Sequence, residues 1–310
     1  MENNNKRLLT VSSSPHIRSS ATVSDIMTDV VIALMPALIA GVWIFGYRAF
    51  VLTAVAVLSC FCFEYAFDYL VNGSYKKNRR KPSVCDCSFA VTGMLLAFSV
   101  PPTLPVWQLV VGCLFAMVIV KMLFGGIGRN FANPAVTARI FLFLAFSGAM
   151  TRWTFDGVAS ATPLAGGTAN YLTLFLGTHA GCIGETSAAA LIVGGLYLIL
   201  RGVISWETPV FFVLAAAVLS SVFGIDPLFT VLSGGLLLGA IFMATDYTTS
   251  PLNFWGKAIF GAGCGILTVV FRKYSNNPEG VSFAILLLNI LTPYIDRAVR
   301  PRAFGEAKRK

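Results

Sequence analysis

The sequence predicts an all-helical, polytopic membrane protein of about ten transmembrane helices, arranged as two inverted five-helix repeats with broken helices. Three observations predict it. The 310 residues are 56% hydrophobic and only 12% charged, with a mean hydropathy of +0.75, above the range of soluble domains. Apolar runs recur along the chain at close to the ~20 residues that a straight bilayer crossing needs. The second half also echoes the first, in the same order.

The elements follow from where these runs start and stop. Residues 1–21 are a polar segment without the apolar core of a signal peptide, so no cleavable leader is expected. Apolar spans are then expected at 24–45, 49–71, 87–100, 105–124 and 134–149, forming a first repeat over 22–149. A connector covers 150–186. Further spans at 187–201, 208–223, 227–244, 254–271 and 279–296 form the second repeat over 187–296, before a basic tail at 297–310. The spans 87–100 and 134–149 are too short for a straight crossing and are bounded by Pro, Gly or Asn, so broken or re-entrant helices are expected. "TGMLLAFSVPP" (92–102) is answered by "SGGLLLGAIFM" (233–243), and "NPAVTARIFLFL" (133–144) by "NPEGVSFAILLL" (277–288). An odd number of spans per half inverts one repeat relative to the other and places ligand sites at their interface, near the interruptions.

The net charge of +9 is a topology signal rather than a sign of nucleic acid. Five Lys and Arg fall in 76–81, six follow Asp296 and three precede residue 19. The positive-inside rule therefore puts both termini and the 72–84 loop in the cytoplasm, with membrane lipid as the surrounding partner, and puts the 150–186 connector outside. The seven cysteines sit mostly in or beside apolar runs, as inert buried thiols do. His16 and His179 are too few for haem or zinc. Gly125, Gly126 and Gly128 follow no strand, which excludes a dinucleotide fingerprint.

The connector contains "DGVASATPLAGG" (156–167), a polar stretch of small residues between apolar runs. Pro163 drives Thr162 out of the helical region, and Ala159, Ser160 and Ala161 add little bulk, so the Thr162 hydroxyl is expected on an unwound, reachable segment. Such a threonine serves either as the start of a loop or helix cap or as a modification site.

"DGVASATPL" resembles the flavinylation motif of the D subunit of the Rnf complex and of the B subunit of the sodium-pumping NADH:quinone oxidoreductase. Ser160 stands where the commoner Ser-Gly-Ala-Thr form has glycine. The resemblance extends over nearly the whole chain through "GGIGRNFANPAVTAR" (125–139) and "MATDYTTSPLN" (243–253). The short polar N-terminal segment favours the Rnf branch over the quinone-reductase branch. The resemblance implies FMN carried on Thr162 through a phosphoester, within a motif of Asp156, Ser160, Ala161, Pro163 and Leu164. It also implies a flavin transferase for maturation, and partners that include the flavin-bearing G subunit and the membrane A and E subunits. A second flavin, noncovalent riboflavin, is expected between the repeats. Asn130, Asn133 and Asp246 are its candidate contacts, although Asn133 equally suits the cap of a helix starting at Pro134. The implied whole is an ion-pumping ferredoxin:NAD oxidoreductase of the prokaryotic inner membrane, in which this chain is not catalytically complete. A small-solute channel with inverted repeats is the rival from another class, and it has no use for the threonine motif.

Acidic residues near membrane spans are the usual marks of ion paths. Asp25 and Asp29 lie four apart at a helix start, where the helix dipole favours them. Glu64 and Asp68 are expected to face the basic residues of 76–81.

Overall fold

The computed structural model describes residues 22–72, 83–155, 158–159, 162–165, 170–275 and 280–300. Apart from a two-residue antiparallel hairpin, β1 (Thr154–Phe155) with β2 (Val158–Ala159), the regular structure among the described residues is helical.

α1 (Val23–Phe45) begins at a reciprocal cap: the Asp25 N–H donates to Thr22 Oγ1 at 3.2 Å, and the Thr22 N–H donates to Asp25 Oδ2 at 2.9 Å. A single residue, Gly46 at φ 76°, turns the chain into α2 (Tyr47–Asn72). After a 3-10 turn at Ser83–Asp86 comes α3 (Ser88–Phe98). α4 (Val106–Leu114) continues as a π-helix over Phe115–Met122. α5 (Pro134–Ala145) breaks at Phe146 before the single turn of α6 (Ser147–Met150). The connector holds the hairpin, a 3-10 turn at Pro163–Ala165 and α7 (Tyr171–Leu176). α8 (Ala188–Leu200) and α9 (Glu207–Val222) follow. Next are α10 (Pro227–Leu232) and α11 (Leu236–Leu238), the latter running into a π-helix at Gly239–Met243. α12 (Phe254–Tyr274) and α13 (Gly280–Ala298) complete the described chain.

Among the described residues, four helices are long and apolar enough to cross a membrane: Val23–Phe45, Tyr47–Val71, Phe254–Tyr274 and Gly280–Ala298. At about 1.5 Å per residue, the 23 residues of α1 reach roughly 34 Å. The expected short runs 87–100 and 134–149 are indeed an 11-residue helix and a helix broken at Phe146. The expected span 227–244 is not one helix. Gly234, at φ 64°, opens it between α10 and α11. Arg272 of α12 makes the break tenable, because its Nη1 and Nη2 donate to the carbonyls of Thr230 (2.6 Å) and Ser233 (2.9 Å) that the lost helical turn leaves free.

Glycines set how closely the helices approach, as they do where association in lipid relies on packing. A Cβ at Gly194 of α8 would lie 2.2 Å from the Ala33 carbonyl oxygen of α1, and one at Gly265 of α12 would lie 2.4 Å from the Phe212 carbonyl oxygen of α9. Gly194→Ala is expected to destabilise the protein by about 1–3 kcal/mol, because a backbone atom has no rotamer by which to yield. Thermal unfolding in detergent measures this against Gly148→Ala, where an added methyl meets nothing within 4 Å.

The connector does not stay on the surface. Residues 179–187 are buried, with the Ile183 N–H donating to the Val100 carbonyl (3.2 Å) and the Gly184 N–H to the Phe98 carbonyl (3.0 Å) beyond the end of α3. The segment thereby reaches the C-terminal end of α1, where a Cβ at Gly41 would be 2.6 Å from the Ile183 oxygen.

Candidate functional site

Two polar sites lie toward opposite ends of α1. At the N-terminal end is a cavity of about 90 Å³ whose wall includes Met27 and Val30 of α1, and into which Asn130, Asn133 and Asp246 all face. The interruptions after the two π-helices bring these three residues together from segments more than 100 positions apart in the chain.

Their free capacities differ. Asn133 caps α5: its Oδ1 accepts from the N–H groups of Ala135 (3.0 Å) and Val136 (3.4 Å), Pro134 occupies the first helical position, and its Nδ2 donates to the Met243 carbonyl at 3.2 Å. Asp246 accepts from the hydroxyls of Thr248 (3.0 Å) and Thr249 (3.2 Å). Burial raises its carboxyl above the ordinary range, against the lowering effect of those hydrogen bonds. Asn130 is the open one, because its Oδ1 is buried and has no hydrogen-bond partner among the described residues. An amide oxygen in that state, facing a cavity walled by apolar side chains, suits the N–H edge of a planar heterocycle such as the expected flavin. The volume lies below the ~300 Å³ at which small-molecule sites usually begin, so the ring system would have to spread the wall to enter.

Sequence reasoning missed a charged group in the same wall. Lys121, the one charged residue of the apolar run 105–124, is 2% exposed and its Nζ lies 2.8 Å from Glu64 Oε2 and 2.6 Å from Ser88 Oγ. Glu64 is fully enclosed. It pairs with Lys121; the 76–81 loop that it was expected to face lies outside the described residues. Asp68 accepts from the Ser83 N–H at 2.9 Å. Asp25 does cap α1, whereas Asp29 ties α1 to α8 through Tyr197 Oη (2.9 Å) and Arg201 Nη2 (3.2 Å). Asn289 of α13 was also missed. With its amide turned so that both ends are satisfied, it accepts from the Asn133 N–H at 3.2 Å and donates to the Thr249 carbonyl at 3.3 Å, clamping the two interruptions.

The second site holds Thr162. Pro163 does keep Thr162 out of a helix, but the residue is only 8% exposed, so the expected reachable hydroxyl is enclosed. The reason is the return of the connector: Thr162, buried Pro163 and half-buried Leu164 close over His179, Gly181, Glu185 and Gly234 around a pocket of about 10 Å³, the size of one water. Asp156, Ser160 and Ala161 lie outside the described residues. Glu185 Oε1 accepts from the Cys182 N–H at 3.2 Å, and Glu185 Oε2 lies 3.7 Å from Arg139 Nη2, whose Nη1 donates to Ser282 Oγ at 3.0 Å. His179 places Nδ1 3.4 Å from the Thr173 carbonyl. Burial pushes its imidazole below the ordinary histidine range, opposed by that carbonyl and by Glu185. A phosphate group is larger than this one-water space, so an FMN carried on Thr162 would require the enclosing residues to move apart.

From Val30 at the cavity to Gly41 under the connector is eleven residues of α1, or about 16 Å. The arrangement can hold one polar ligand near each end of an apolar helical body.

Comparisons with known proteins identify the family. A family profile described as "NQR2, RnfD, RnfE family" matches residues 10–305. The chain is 45% identical to the D subunit of the Na(+)-translocating ferredoxin:NAD(+) oxidoreductase complex of Acetobacterium woodii, covering 99% of this chain and 98% of that one. It is 38% identical to the D subunit of the proton-translocating ferredoxin:NAD(+) oxidoreductase complex of Clostridium ljungdahlii, covering 97% of each. It is 39% identical to the D subunit of the ion-translocating oxidoreductase complex of Stutzerimonas stutzeri, covering 94% of each. A profile match over nearly the whole length, together with relatives aligned from end to end, establishes that the chain belongs to the NQR2, RnfD, RnfE family.

Proposed function

We propose that this chain is the membrane electron-transfer subunit of an Rnf-type, ion-translocating ferredoxin:NAD oxidoreductase in a prokaryotic cytoplasmic membrane, with FMN esterified to Thr162 and a second, noncovalent flavin, riboflavin, in the cavity of Asn130, Asn133 and Asp246. The observation that carries the reading is the placement of the two polar sites at opposite ends of α1 inside an apolar helical body. End-to-end identity to relatives named as D subunits favours the Rnf branch over the quinone reductase. The ten spans fall into two inverted five-helix repeats on either side of the connector, with the termini cytoplasmic and Thr162 on the outer face, in accord with the basic segments.

A flavin accepts one or two electrons, and the protein supplies position and electrostatics. Thr162 Oγ1 fixes one flavin permanently at the outer end, within reach of an outward-facing flavin-bearing G subunit. At the inner end the Asn130 Oδ1 accepts a hydrogen bond from the ligand, while Asn133 and Asn289 hold the interruptions in register. Lys121 lines the same wall and is held by Glu64 and Ser88, so it contributes a buried, charge-balanced polar anchor there. Nicotinamide and ferredoxin bind other subunits, and the membrane A and E subunits complete the path, so the chain alone catalyses no full reaction.

Expression with a flavin transferase tests this directly. Two flavins per chain are expected, one retained by the denatured polypeptide and one released. Asn130→Leu is expected to lower the released flavin at least about tenfold, the worth of one or two buried hydrogen bonds, and to leave the retained flavin unchanged. A chain that carries no flavin after such expression would overturn the proposal.

A further inference from the structure

We propose that the groove between α8 and α9 binds one phospholipid of the surrounding membrane, with an acyl chain along the groove and the headgroup phosphate at Lys257.

The groove holds about 300 Å³, the size at which small-molecule sites usually begin. Ile192 and Ile199 of α8 form one wall, Pro209 and Val213 of α9 the other, and Ile241 of the second π-helix part of the floor. Every residue lining it is apolar, so the part of a ligand that suits it is hydrocarbon. Gly195, midway along the α8 wall, lets that wall lie close on the floor: a Cβ there would be 2.8 Å from Ile241 Cγ2. The rim residues Leu196 and Leu214 are each 53% exposed, and the groove opens sideways between them.

Its dimensions select the occupant. From Ile192 to Ile199 the wall rises about 10 Å. An α-helix with its side chains is about 10–12 Å across, and that length of it would need roughly three times the volume. A single alkyl chain is narrow enough to lie within.

One end of the groove carries the marks of the membrane interface. Residues 201–206 join the two walls and close that end. Trp206 meets Phe254 edge-on (ring centroids 6.2 Å apart), Phe254 meets Trp255 in the same way (5.4 Å), and both tryptophans are at least half exposed. Exposed tryptophans beside apolar spans gather at headgroup level. Lys257 reaches the same turn, where its Nζ donates to Ser205 Oγ at 2.8 Å, and no carboxylate among the described residues lies within 4.0 Å of it. Glu207, which opens α9, is therefore outside that radius, and Arg201 is already paired with Asp29 at 3.2 Å. An ammonium held only by a neutral hydroxyl, at headgroup level and at the closed end of a hydrocarbon groove, is complementary to a phosphodiester that carries alkyl chains.

The full-length chain in detergent is titrated with dioleoylphosphatidylglycerol or with dioleoylglycerol, which has the same chains and no phosphate, and native mass spectrometry counts the lipids retained. One phosphatidylglycerol per chain is expected, bound at least about fivefold more tightly than dioleoylglycerol. Val213→Phe fills the groove and is expected to weaken that binding at least about tenfold. Leu214→Trp, on the exposed rim, gives the same result by a substitution that leaves the packing beneath it intact. Lys257→Gln keeps a donor for Ser205 and is expected to bring the two lipids within about twofold of each other. Wild-type retention in both groove variants, or an undiminished preference for the phospholipid in Lys257→Gln, would overturn the inference. So would a lipid held by the isolated chain and missing from the assembled complex, because a neighbouring subunit would then cover the groove.

Discussion

Thr162→Val is expected to remove covalent flavin from the protein completely, read as loss of flavin fluorescence from the denatured chain after expression with the transferase. Valine keeps the branched shape of threonine in a site that is 8% exposed, so the closure of residues 162–165 over His179 and Gly234 is preserved. What disappears is the oxygen proposed to bond to phosphorus. The cavity of Asn130, Asn133 and Asp246 shares no lining residue with the Thr162 pocket, so the occupancy of the noncovalent flavin proposed there is expected to stay at the wild-type level. Two readouts therefore separate on one variant: the retained flavin falls to zero and the released flavin holds. Fluorescence persisting on the denatured Thr162→Val chain would mean that another hydroxyl, such as that of Ser160 or Thr168, is the acceptor.

Glu64→Gln is expected to destabilise the protein by about 3–5 kcal/mol, because it leaves the Lys121 ammonium buried without a counter-charge. Lys121 is 2% exposed and Glu64 fully enclosed, and their 2.8 Å contact joins α2 to the π-helix after α4. Ser88 Oγ, 2.6 Å from the ammonium, is a neutral acceptor and offsets only part of the loss. Removing both charges has a different effect. Glu64→Leu with Lys121→Met replaces the pair by apolar groups and is expected to recover most of the stability, as buried ion pairs in other proteins do. Thermal unfolding in detergent compares the three chains. A Glu64→Gln chain within about 0.5 kcal/mol of the wild type would show that the pair is not the local anchor described above.

The parts of the fold that could be read from the sequence are those controlled by local rules. α1, α2, α12 and α13 follow from apolar windows long enough to span a bilayer. The start of α5 follows from Asn133 followed by Pro134, the pairing that caps a helix and begins it. The gathering of Asn130, Asn133 and Asp246 at one cavity was legible because each sits where an apolar run is interrupted, and interruptions at membrane depth must face a polar interior.

Features set by distant contacts were not legible. Ser233-Gly234-Gly235 reads as part of a continuous apolar run, and the break there depends on Arg272 arriving from α12 to satisfy the freed carbonyls. The burial of Thr162 depends on the connector returning to the Phe98 and Val100 carbonyls, and on Gly184, where a Cβ would meet the Phe98 ring at 2.3 Å. Proline at 163 determines that Thr162 leaves the helix, but not what then covers it. Lys121 could have been found: a single cation in an otherwise uncharged apolar run calls for a buried partner, by the same rule that singles out acids at membrane depth.

The central claim is a phosphoester between Thr162 and FMN, and localising the modification by tandem mass spectrometry tests it most directly. Trypsin cuts after Arg152 and next after Arg201, so the acceptor lies in the peptide 153–201 together with several other hydroxyl residues. After expression with the transferase, that peptide is expected to carry one added FMN, with the fragment series placing it on Thr162. An unmodified peptide from a chain matured in this way, or an FMN placed on any other residue, would contradict the account.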